Sequence, residues 1–389
     1  MAPLLLSPGG SDRTEVKVLP GPQPPAGSTT STPPLDFVLP PSLEAHEPPE
    51  HDGRQRDDVR LLVASASDGA VHHRTIGTLA DHLRPGDLLV VNTSATLPAA
   101  LAGERRMHRA APSPGSVEPV LAHFATPLPG GLWLVELRRP TASGNAPLGD
   151  AEVDDSVVLA SGGSLHLVAP WQPAPPAGGT RLWVAEPHLD ESVEAYLIDH
   201  GRPIQYRHTT RPVGIDAYQS IFSRTPGSAE MPSAARPFTS DIVTDLAAHG
   251  VLIAPLLLHT GVSSLEEGEE PPIERYDVPP ATAALVDHVH DRGGRVIAVG
   301  TTVVRALETT ADESGRSHPG RGWTDTVLSP DRPTRVVDGL ITGWHEPRSS
   351  HLRLLESVAG REVLERSYAE ALAEGYRWHE FGDLHLILP

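Results

Sequence analysis

The 389-residue chain contains no cysteine and has only 4% aromatic residues. The lack of cysteine excludes disulfides, thiolate metal sites and a cysteine nucleophile. No apolar run approaches the ~20 residues that cross a bilayer as a helix, so no membrane association is expected. The first residues also lack the basic flank, apolar core and cleavage site of a signal peptide. These absences favour a soluble cytoplasmic protein.

Proline, glycine and acidic residues are abundant by contrast. The 41 prolines and 35 glycines predict many loops. The length is sufficient for two domains at the usual ~100–200 residues each. The formal net charge is −19. This acidic balance does not favour RNA binding, although a local basic patch remains compatible with it.

The chain is organised around residues 295–308, which read RVIAVGTTVVRALE. Val296–Val299 is a β-branched apolar run typical of a buried strand, and the segment after Gly300 has the apolar face of a helix. Thr301 and Thr302 are placed to cap that helix. Such a turn presents N–H groups and a positive helix end at the carboxyl edge of a sheet, where α/β proteins bind ligands. The alternative is an ordinary strand–helix turn that serves packing alone.

Composition divides the rest of the chain into a tail and two domains. Residues 1–34 are rich in Pro, Gly, Ser and Thr, and are predicted to be a disordered tail. Residues 86–189 show short strands between Gly and Pro turns, with almost no helical periodicity, which predicts an inserted small β-barrel domain. Residues 35–85 and 190–389 alternate strands with helices, which predicts an α/β domain with a mixed or parallel sheet.

Polar side chains recur where the predicted strands of the α/β domain end. His259 follows one apolar strand and His345 closes another. Thr301 and Thr302 follow the strand between them in sequence. A parallel or mixed sheet gathers such strand ends along one rim. Arg60, which leads into an apolar strand, is placed either to clamp an anion or to lie at a solvated edge.

Several sequence blocks in a fixed order resemble those of one known family, from about Leu35 to the C-terminus. The blocks are LDFVLPPSL, RDDVRLLV, LRPGDLLVVNTSATLPAALAG, AYQSIFSRTPGSAEMPSAARPFT, LLLHTGVSS, RVIAVGTTVVRALE, LITGWHEPRSS and YRWHEFGDLHLIL. Together they resemble the S-adenosylmethionine:tRNA ribosyltransferase-isomerases of queuosine biosynthesis. The fold implied by the resemblance is an α/β domain with an inserted β-barrel.

The resemblance implies that S-adenosylmethionine is a ribosyl donor. The sulfonium acidifies the attached ribose carbon, a base removes its proton, and adenine and methionine depart. The ribose-derived unit is transferred to the aminomethyl nitrogen of a 7-aminomethyl-7-deazaguanine base in tRNA and becomes an epoxycyclopentanediol. This chemistry needs a base, donors for the departing adenine and a water-poor pocket, and it requires no metal.

The chain departs from the family pattern at polar positions. The block NDTRVIPARL stands as NTSATLPAAL, so Ala95 and Ala100 replace two arginines and an aspartate is also missing. Pro237 stands where PTAGLHFT has its histidine, and the HxMHxE segment keeps only Glu274. The scaffold glycines and the Gly-Thr-Thr turn survive. This pattern suggests a divergent paralogue.

Site roles follow from the strand ends and the family blocks together. His259 and His345 are the strand-end histidines that match family histidines, and an unperturbed pKa near ~6.5 suits a general base. His345 is slightly favoured, although either ring is equally compatible with a core position. Asp383 is a candidate ligand for ribose or amine, or simply a turn residue after glycine. The substrate-binding residues predicted are Gly300, Thr301, Thr302, Arg305, Arg60, Asn92, Ser233, Glu274, Tyr276, Ser349, Ser350 and Asp383.

The resemblance implies tRNA as the acceptor of the ribose-derived unit, but the charged residues of this chain do not favour RNA binding. Binding of a folded RNA requires several Lys or Arg groups on its phosphates. The net charge of −19 and the acidic loop from Glu266 oppose this, whereas Arg202, Arg207 and Arg211 fall close together in sequence. The tRNA reaction is the leading prediction. A paralogue that applies the same chemistry to a small molecule, and a non-catalytic S-adenosylmethionine or RNA-binding protein, are the alternatives. A monomer is expected.

Overall fold

The computed structural model describes residues 4–8, 14–18, 34–108, 117–141, 144–171, 179–205, 209, 211–262 and 272–389. The chain divides into two compact units. The barrel unit comprises Met1–Pro33, Leu97–Arg207 and Gly261–Ile273. The α/β unit comprises Pro34–Thr96, His208–Thr260 and Glu274–Pro389. No helix in the described ranges has both the length and the apolar character needed to cross a membrane.

The strands and helices alternate along the α/β unit, whereas strands dominate the barrel unit. The strands are β1 (Leu4–Pro8), β2 (Thr14–Val18), β3 (Arg60–Ser65), β4 (Val71–Thr75), β5 (Leu88–Asn92), β6 (Ser94–Thr96), β7 (Ala100–Arg106), β8 (Val117–Pro127), β9 (Trp133–Thr141), β10 (Gly144–Pro147), β11 (Ser156–Leu159), β12 (Ser164–Pro170), β13 (Leu182–His188), β14 (Thr225–Ser228), β15 (Leu252–Leu258), β16 (Glu274–Val278), β17 (Val296–Val299), β18 (Gly320–Thr324), β19 (Gly339–Gly343) and β20 (Leu384–Leu388). The α-helices are α1 (Val193–His200), α2 (Ser240–Ala248), α3 (Pro280–Asp291), α4 (Thr301–Thr310), α5 (Ser350–Ala359) and α6 (Arg361–Ala373). Short 3₁₀ turns cover Pro41–Leu43, Pro49–Asp52, Ile76–His82, Pro129–Gly131, Ile215–Tyr218 and Ser233–Ala235.

The α/β unit is built on a nine-stranded mixed sheet in the order β18-β16-β15-β5-β17-β19-β20-β3-β4. Strands β15, β5, β17 and β19 are parallel, and β20 runs antiparallel to β19. A parallel pair, β6 with β14, lies outside this sheet. The mixed sheet expected from the sequence is confirmed. The carboxyl ends of the four parallel strands meet at one edge, which we call the rim.

The central strands are apolar on both faces because helices cover both sides of the sheet. Leu88 and Val90 of β5 belong to one core, together with residues of α3, α4, α5 and α6. Leu89 and Val91 point to the opposite core, which includes residues of α2. Because successive side chains of a strand point to opposite faces of the sheet, one apolar run contributes residues to both cores. This rigid central layer fixes the position of the rim.

The barrel unit is a closed antiparallel barrel of six strands. Strands β7, β8, β9, β13, β12 and β11 form the ring, closed by pairings of β8 with both β7 and β9. Strand β10 folds back on β9 as a hairpin. Closure leaves no open sheet edge within the ring, which removes a common route to aggregation. The β-barrel expected from the sequence is confirmed.

The structure differs from the sequence predictions at the domain boundaries. Strand β5 lies inside the nine-stranded sheet, between β15 and β17, so the barrel begins near Leu97 rather than at 86. The barrel unit also extends past 189 to include α1. The sequence does not distinguish a strand of the parallel sheet from a strand of the barrel, because a short apolar run is typical of both.

The predicted disordered tail also differs from the structure. Within residues 1–34, β1 pairs with β2 in an antiparallel ladder. The rest of the first 33 residues lies outside the described residues.

Candidate active site at the rim

Asn92 at the end of β5 connects this strand to the end of β15 and to the start of α4. Its side chain is fully buried at the end of β5. The amide nitrogen donates to the Leu258 carbonyl at 2.7 Å and to Thr302 Oγ1 at 3.3 Å. The amide oxygen accepts from the N–H groups of Leu258 and Ser94, both at 3.0 Å. The predicted substrate residues Asn92 and Thr302 are therefore neighbours. Both the nitrogen and the oxygen of the Asn92 amide form hydrogen bonds within the protein.

The Gly-Thr-Thr turn opens α4 as the sequence indicates, but with a different cap. Gly300 is the residue before the helix, with φ 98°, and Thr301 and Thr302 are its first two residues. The prediction that their side chains cap the helix is wrong, because residues in the first turn already have helical backbone angles. Gly300 has no side chain to cap with. Positive φ is the reason that this position requires glycine.

Ser233 lies over the same turn. The 3₁₀ turn Ser233–Ala235 packs against the ends of β17 and β19. The Ala234 Cβ would lie 3.6 Å from a Cβ built at Gly300, and Ser233 Oγ would lie 3.9 Å from one built at Gly343. Small residues on both sides allow this close approach. Ser233, a predicted substrate residue, is half-buried and lies at the rim.

His259 is buried immediately after β15, with 4% of its surface exposed. Its Nδ1 lies 2.7 Å from Ser94 Oγ. A Cβ at Gly227 would come within 2.4 Å of the imidazole, so the ring packs directly on that glycine. Burial, with the charge of Arg275, lowers the pKa of His259 to about 4. The ring is consequently neutral at pH 7.

His345 lies two residues beyond β19 and is half-buried. Its Nε2 is 2.9 Å from Thr342 Oγ1, and its ring stacks on that of His351 with centroids 4.5 Å apart and planes 3° apart. Burial, with the neighbouring imidazoles of His351, His379 and His385, holds the pKa of His345 well below its ordinary value. Burial and the charge of Arg305 likewise lower the pKa of His351 to about 4.

Arg305 and Glu274, both predicted as substrate residues, form an ion pair. Arg305 Nη1 contacts Glu274 Oε2, and Arg305 Nε donates to the Thr326 carbonyl at 3.1 Å. Both side chains are largely buried. Glu274 begins β16, and Tyr276, two residues on, is half-buried beside Gly322 of β18. Burial and the Asp277 charge raise the pKa of the Tyr276 phenol. These three residues link α4 to the outer strands.

Arg60 and Asp383 form a second pair at the rim, where β3 and β20 begin. Asp383 Oδ1 accepts from the Arg60 backbone N–H at 2.7 Å, and Oδ2 lies 3.0 Å from Arg60 Nη2. Oδ2 also accepts from the Arg377 N–H at 2.8 Å. The guanidinium lies 4.1 Å from the centre of the Tyr376 ring. The Asp383 carboxylate is thus engaged by protein donors on both oxygens.

Ser349 and Ser350 stand at the start of α5, next to the stacked histidines. Ser349 precedes the helix and makes no side-chain cap. Its Oγ is buried and has no hydrogen-bond partner in the described part of the chain. Ser350 is exposed. A buried hydroxyl in this state can donate to a bound group.

The sequence prediction missed four side chains at the rim: Ser94, Ser228, Thr342 and His351. Ser94 and Ser228 lie behind His259, while Thr342 and His351 flank His345. The spacing of His351 six residues after His345, on a helix that opens at the rim, is the one sequence signal that pointed to any of them.

Cavities occur away from the rim. One, of about 220 Å³, lies at the opposite edge of the sheet and is lined by Arg84, Pro85, Gly86, Asp87, Arg292, Gly293 and Gly294. Another, of about 160 Å³, is in the barrel unit beside Tyr196 and His200. Within the described ranges no three His, Asp or Glu side chains are grouped as metal ligands would be.

Known proteins resemble this chain over most of its length. Residues 32–387 match the family described as queuosine biosynthesis protein. The S-adenosylmethionine:tRNA ribosyltransferase-isomerase of Symbiobacterium thermophilum is 35% identical over 365 residues, covering 91% of this chain and 98% of that protein. The enzymes of the same name from Moorella thermoacetica and Anaeromyxobacter dehalogenans are 36% and 37% identical, with the same coverage. A crystal structure of S-adenosylmethionine tRNA ribosyltransferase from Thermotoga maritima is 26% identical, covers 91% of this chain and 99% of that one, and has a TM-score of 0.48.

Proposed function

The chain belongs to the family of S-adenosylmethionine:tRNA ribosyltransferase-isomerases, and from that membership we propose that it catalyses their reaction. It takes S-adenosylmethionine as ribosyl donor and a 7-aminomethyl-7-deazaguanine base of tRNA as acceptor. The ribose-derived unit becomes the epoxycyclopentanediol of epoxyqueuosine, and adenine and methionine are released. Because its acceptor is tRNA, we place the enzyme in the cytoplasm.

The observation that carries the site assignment is the convergence at the rim of Gly300, Thr302, His259 and His345. Asn92 ties β5 to β15 and to the start of α4 by hydrogen bonds. A helix start that follows a glycine turn favours a group with partial negative charge. The neutral imidazoles of His259 and His345 follow β15 and β19, which flank β5 and β17 in the sheet. We place S-adenosylmethionine here, with the sulfonium end toward α5 and the adenine toward α4.

His345 is the proposed base that removes the proton from the ribose carbon next to sulfur. Its low pKa keeps the imidazole neutral at pH 7, which is the form that accepts a proton. Its contact with Thr342 and its stacking on His351 fix the ring. Ser349 and Ser350 are the proposed contacts for the methionine carboxylate, since the Ser349 hydroxyl is buried and no described residue hydrogen-bonds to it.

The remaining predicted residues support the site. The Arg305–Glu274 pair, with Tyr276 beside it, holds α4 against β16 and β18. The Arg60–Asp383 pair closes the far side of the rim. We propose that these ion pairs position the backbone, because their charged atoms already bind each other.

The test is adenine release from S-adenosylmethionine by the purified protein, measured with the His345→Ala and His259→Ala variants. Removal of the base is expected to lower the rate by about 100-fold or more, the usual contribution of a positioned acid or base. His288→Ala is the matched control, since His288 is exposed on α3. Full activity in both rim variants, with the fold intact by circular dichroism, would reject the assignment.

A second candidate is a paralogue that applies the same chemistry to a small acceptor. It is favoured by the net charge of −19 and by Ala95 and Ala100, which stand where the family has arginines. Fewer cations weaken phosphate binding. The two are separated by product analysis with and without tRNA carrying the deazaguanine base. Adenine release that tRNA does not affect, with no modified nucleoside in the digest, favours the paralogue.

The third candidate, a non-catalytic binding protein, would give a different pair of results. Calorimetry would then detect S-adenosylmethionine binding while no adenine is released.

A further inference from the structure

Two buried serines form a hydrogen-bonded chain behind His259. Ser94 Oγ lies 2.7 Å from His259 Nδ1 and 2.6 Å from Ser228 Oγ. Ser228 Oγ in turn accepts from the Thr260 N–H at 3.0 Å. Ser94 and Ser228 have no exposed surface, and His259 is 4% exposed. The contacts therefore form within the protein, out of reach of bulk water.

The backbone holds each member of this chain in place. Ser94 opens β6, and its N–H is bound by Asn92 Oδ1 at 3.0 Å. Ser228 ends β14, which pairs with β6 in parallel. The Ala229 N–H donates to the Thr260 carbonyl at 2.8 Å, which fixes the segment after β15 beside β14. Gly227 leaves space for the His259 ring, because a Cβ there would overlap it.

The direction of the hydrogen bonds follows from the donors that must be satisfied. If Ser228 donates to Ser94 and Ser94 donates to His259 Nδ1, each hydroxyl hydrogen has an acceptor. In the reverse direction the Ser228 hydrogen has no acceptor among the residues that the structure describes. A buried hydroxyl without an acceptor destabilises the protein, because its hydrogen has lost its bond to water. The first direction makes Nδ1 an acceptor and places the ring hydrogen on Nε2.

We propose that Ser94 is a positioning residue that holds His259 in the Nε2–H tautomer, so that His259 serves as a hydrogen-bond donor. This rests on the proposed function for its substrate. The acceptor of the hydrogen bond is a purine nitrogen of the departing adenine, which gains electron density as its bond to ribose breaks. His259 and His345 then have different roles, as donor and base.

The structure also keeps this donor neutral. Burial and the charge of Arg275 lower the pKa of His259 to about 4, so the ring donates without first taking up a proton. A neutral donor remains in one state across the range in which ordinary histidines titrate. A protonated ring would also carry a hydrogen on Nδ1. That hydrogen would have to be donated to Ser94 Oγ, which would reverse the direction of the hydrogen bonds between the imidazole and the two serines.

The tautomer can be measured directly by nitrogen-15 NMR on protein labelled at histidine. Two-bond couplings distinguish an Nε2–H ring from an Nδ1–H ring, and the His259 signals among the 20 histidines are identified by their loss in His259→Gln. We expect the Nε2–H pattern in the wild-type protein at pH 7. An Nδ1–H pattern, or a charged ring, would overturn the proposal. This measurement needs no substrate, so it is independent of the proposed reaction.

Variants at Ser94 test the positioning role. Ser94→Ala is expected to give a mixture of tautomers and to lower the kcat of adenine release about 10- to 100-fold, with the KM for S-adenosylmethionine little changed. Ser94→Thr, which keeps the hydroxyl, is expected to restore the Nε2–H pattern and most of the rate.

Ser223→Ala is the matched control, because the Ser223 hydroxyl contacts the Ser94 backbone carbonyl and not the imidazole. An unchanged tautomer in Ser94→Ala, or an equal loss of kcat in Ser223→Ala, would contradict the role of Ser94. If wild-type protein releases no adenine while the tautomer is as expected, the proposed function fails and the hydrogen-bond assignment stands.

Discussion

At the scale of single residues, His385 is the side chain whose environment is most unusual. It is fully buried on β20, and neither ring nitrogen has a hydrogen-bond partner in the described part of the chain. Its ring stacks on Trp344, with centroids 4.8 Å apart and planes 7° apart. Burial lowers the pKa of His385 to about 3. The imidazole therefore behaves as a buried aromatic group that retains two unmet polar atoms.

His385→Phe is expected to stabilise the protein, and more so in acid. The unfolded chain takes up a proton at His385 below its ordinary pKa of about 6.5, whereas the folded chain does not until about pH 3, so stability is lost as the pH falls through this range. Phenylalanine cannot take up a proton, so this pH-dependent loss does not occur in the variant. At pH 5 the loss for the wild-type protein amounts to on the order of 2 kcal/mol in the free energy of unfolding. Urea unfolding at pH 7.5 and pH 5 measures it. His288→Gln, at an exposed histidine, is the control, and an equal gain at both pH values contradicts the argument.

Single residues also show where sequence reasoning stops. The strand Val296–Val299, its helix and the histidine after β15 were predictable because each depends on a local pattern of apolar and polar residues. The contact between Ser94 and His259 joins positions 165 residues apart. The pair Arg305–Glu274 is separated by 31 residues. Local patterns contain no information about such distances, so the polar partners became visible only in the fold.

At the scale of elements, the glycine before α4 determines where that helix begins. Gly300 adopts φ 98°, and its N–H donates to the Ile341 carbonyl of β19 at 2.8 Å. A Cβ there would lie 3.4 Å from Thr302 Oγ1. A side chain at this position therefore strains the backbone and presses on the first turn of the helix.

Gly300→Ala is expected to lower the free energy of unfolding by about 1–3 kcal/mol and to weaken S-adenosylmethionine binding. Gly293→Ala is a matched control. Gly293 also has positive φ, at 73°, but a Cβ there would meet nothing within 4 Å, and it lies at the opposite edge of the sheet. We expect both variants to be less stable than the wild-type protein, measured by urea unfolding. Calorimetry should show weaker binding only in Gly300→Ala, and equal binding in the two would remove the turn from the site.

Elements were easier to predict than the order in which they pair. A parallel strand and a barrel strand of five residues have the same apolar pattern. The sequence pattern therefore places β5 in the barrel, whereas the structure places it in the sheet of the α/β unit. The insertion of β20 between β19 and β3 likewise depends on packing across the whole sheet. The existence of strands is a local property, whereas their neighbours are set by long-range burial.

At the scale of the whole molecule, the barrel unit carries its own buried charges. Glu136 on β9 is 2% exposed, and it contacts His123 Nδ1 at 2.9 Å and the guanidinium groups of Arg138 and Arg181. These cations and the His123 hydrogen bond, acting against burial, lower the pKa of Glu136 to about 2. The carboxylate is therefore charged at pH 7 and balances two arginines.

Glu136→Gln is expected to destabilise the barrel unit by about 3–5 kcal/mol, because it leaves buried arginine charge without its anion. Hydrogen exchange followed by mass spectrometry should show faster exchange in β8, β9 and β13. Strands β17 and β19 of the α/β unit should be unaffected. Glu186→Gln is the control, since this carboxylate on β13 is exposed. Equal effects of the two substitutions would mean that burial of the charge is unimportant.

The position of β20 has a consequence for the synthesis of the protein. This strand lies inside the nine-stranded sheet between β19 and β3, and its Leu384 pairs with Leu61, which precedes it by 323 residues. Domains usually begin to fold while the ribosome is still adding residues. The strands of the six-stranded barrel are all synthesised before β19, whereas β3 and β19 acquire their shared neighbour only after residues 384–388 have been added. A premature stop just before Leu384 would thus leave two apolar strand edges open and expose the truncated protein to proteases and aggregation.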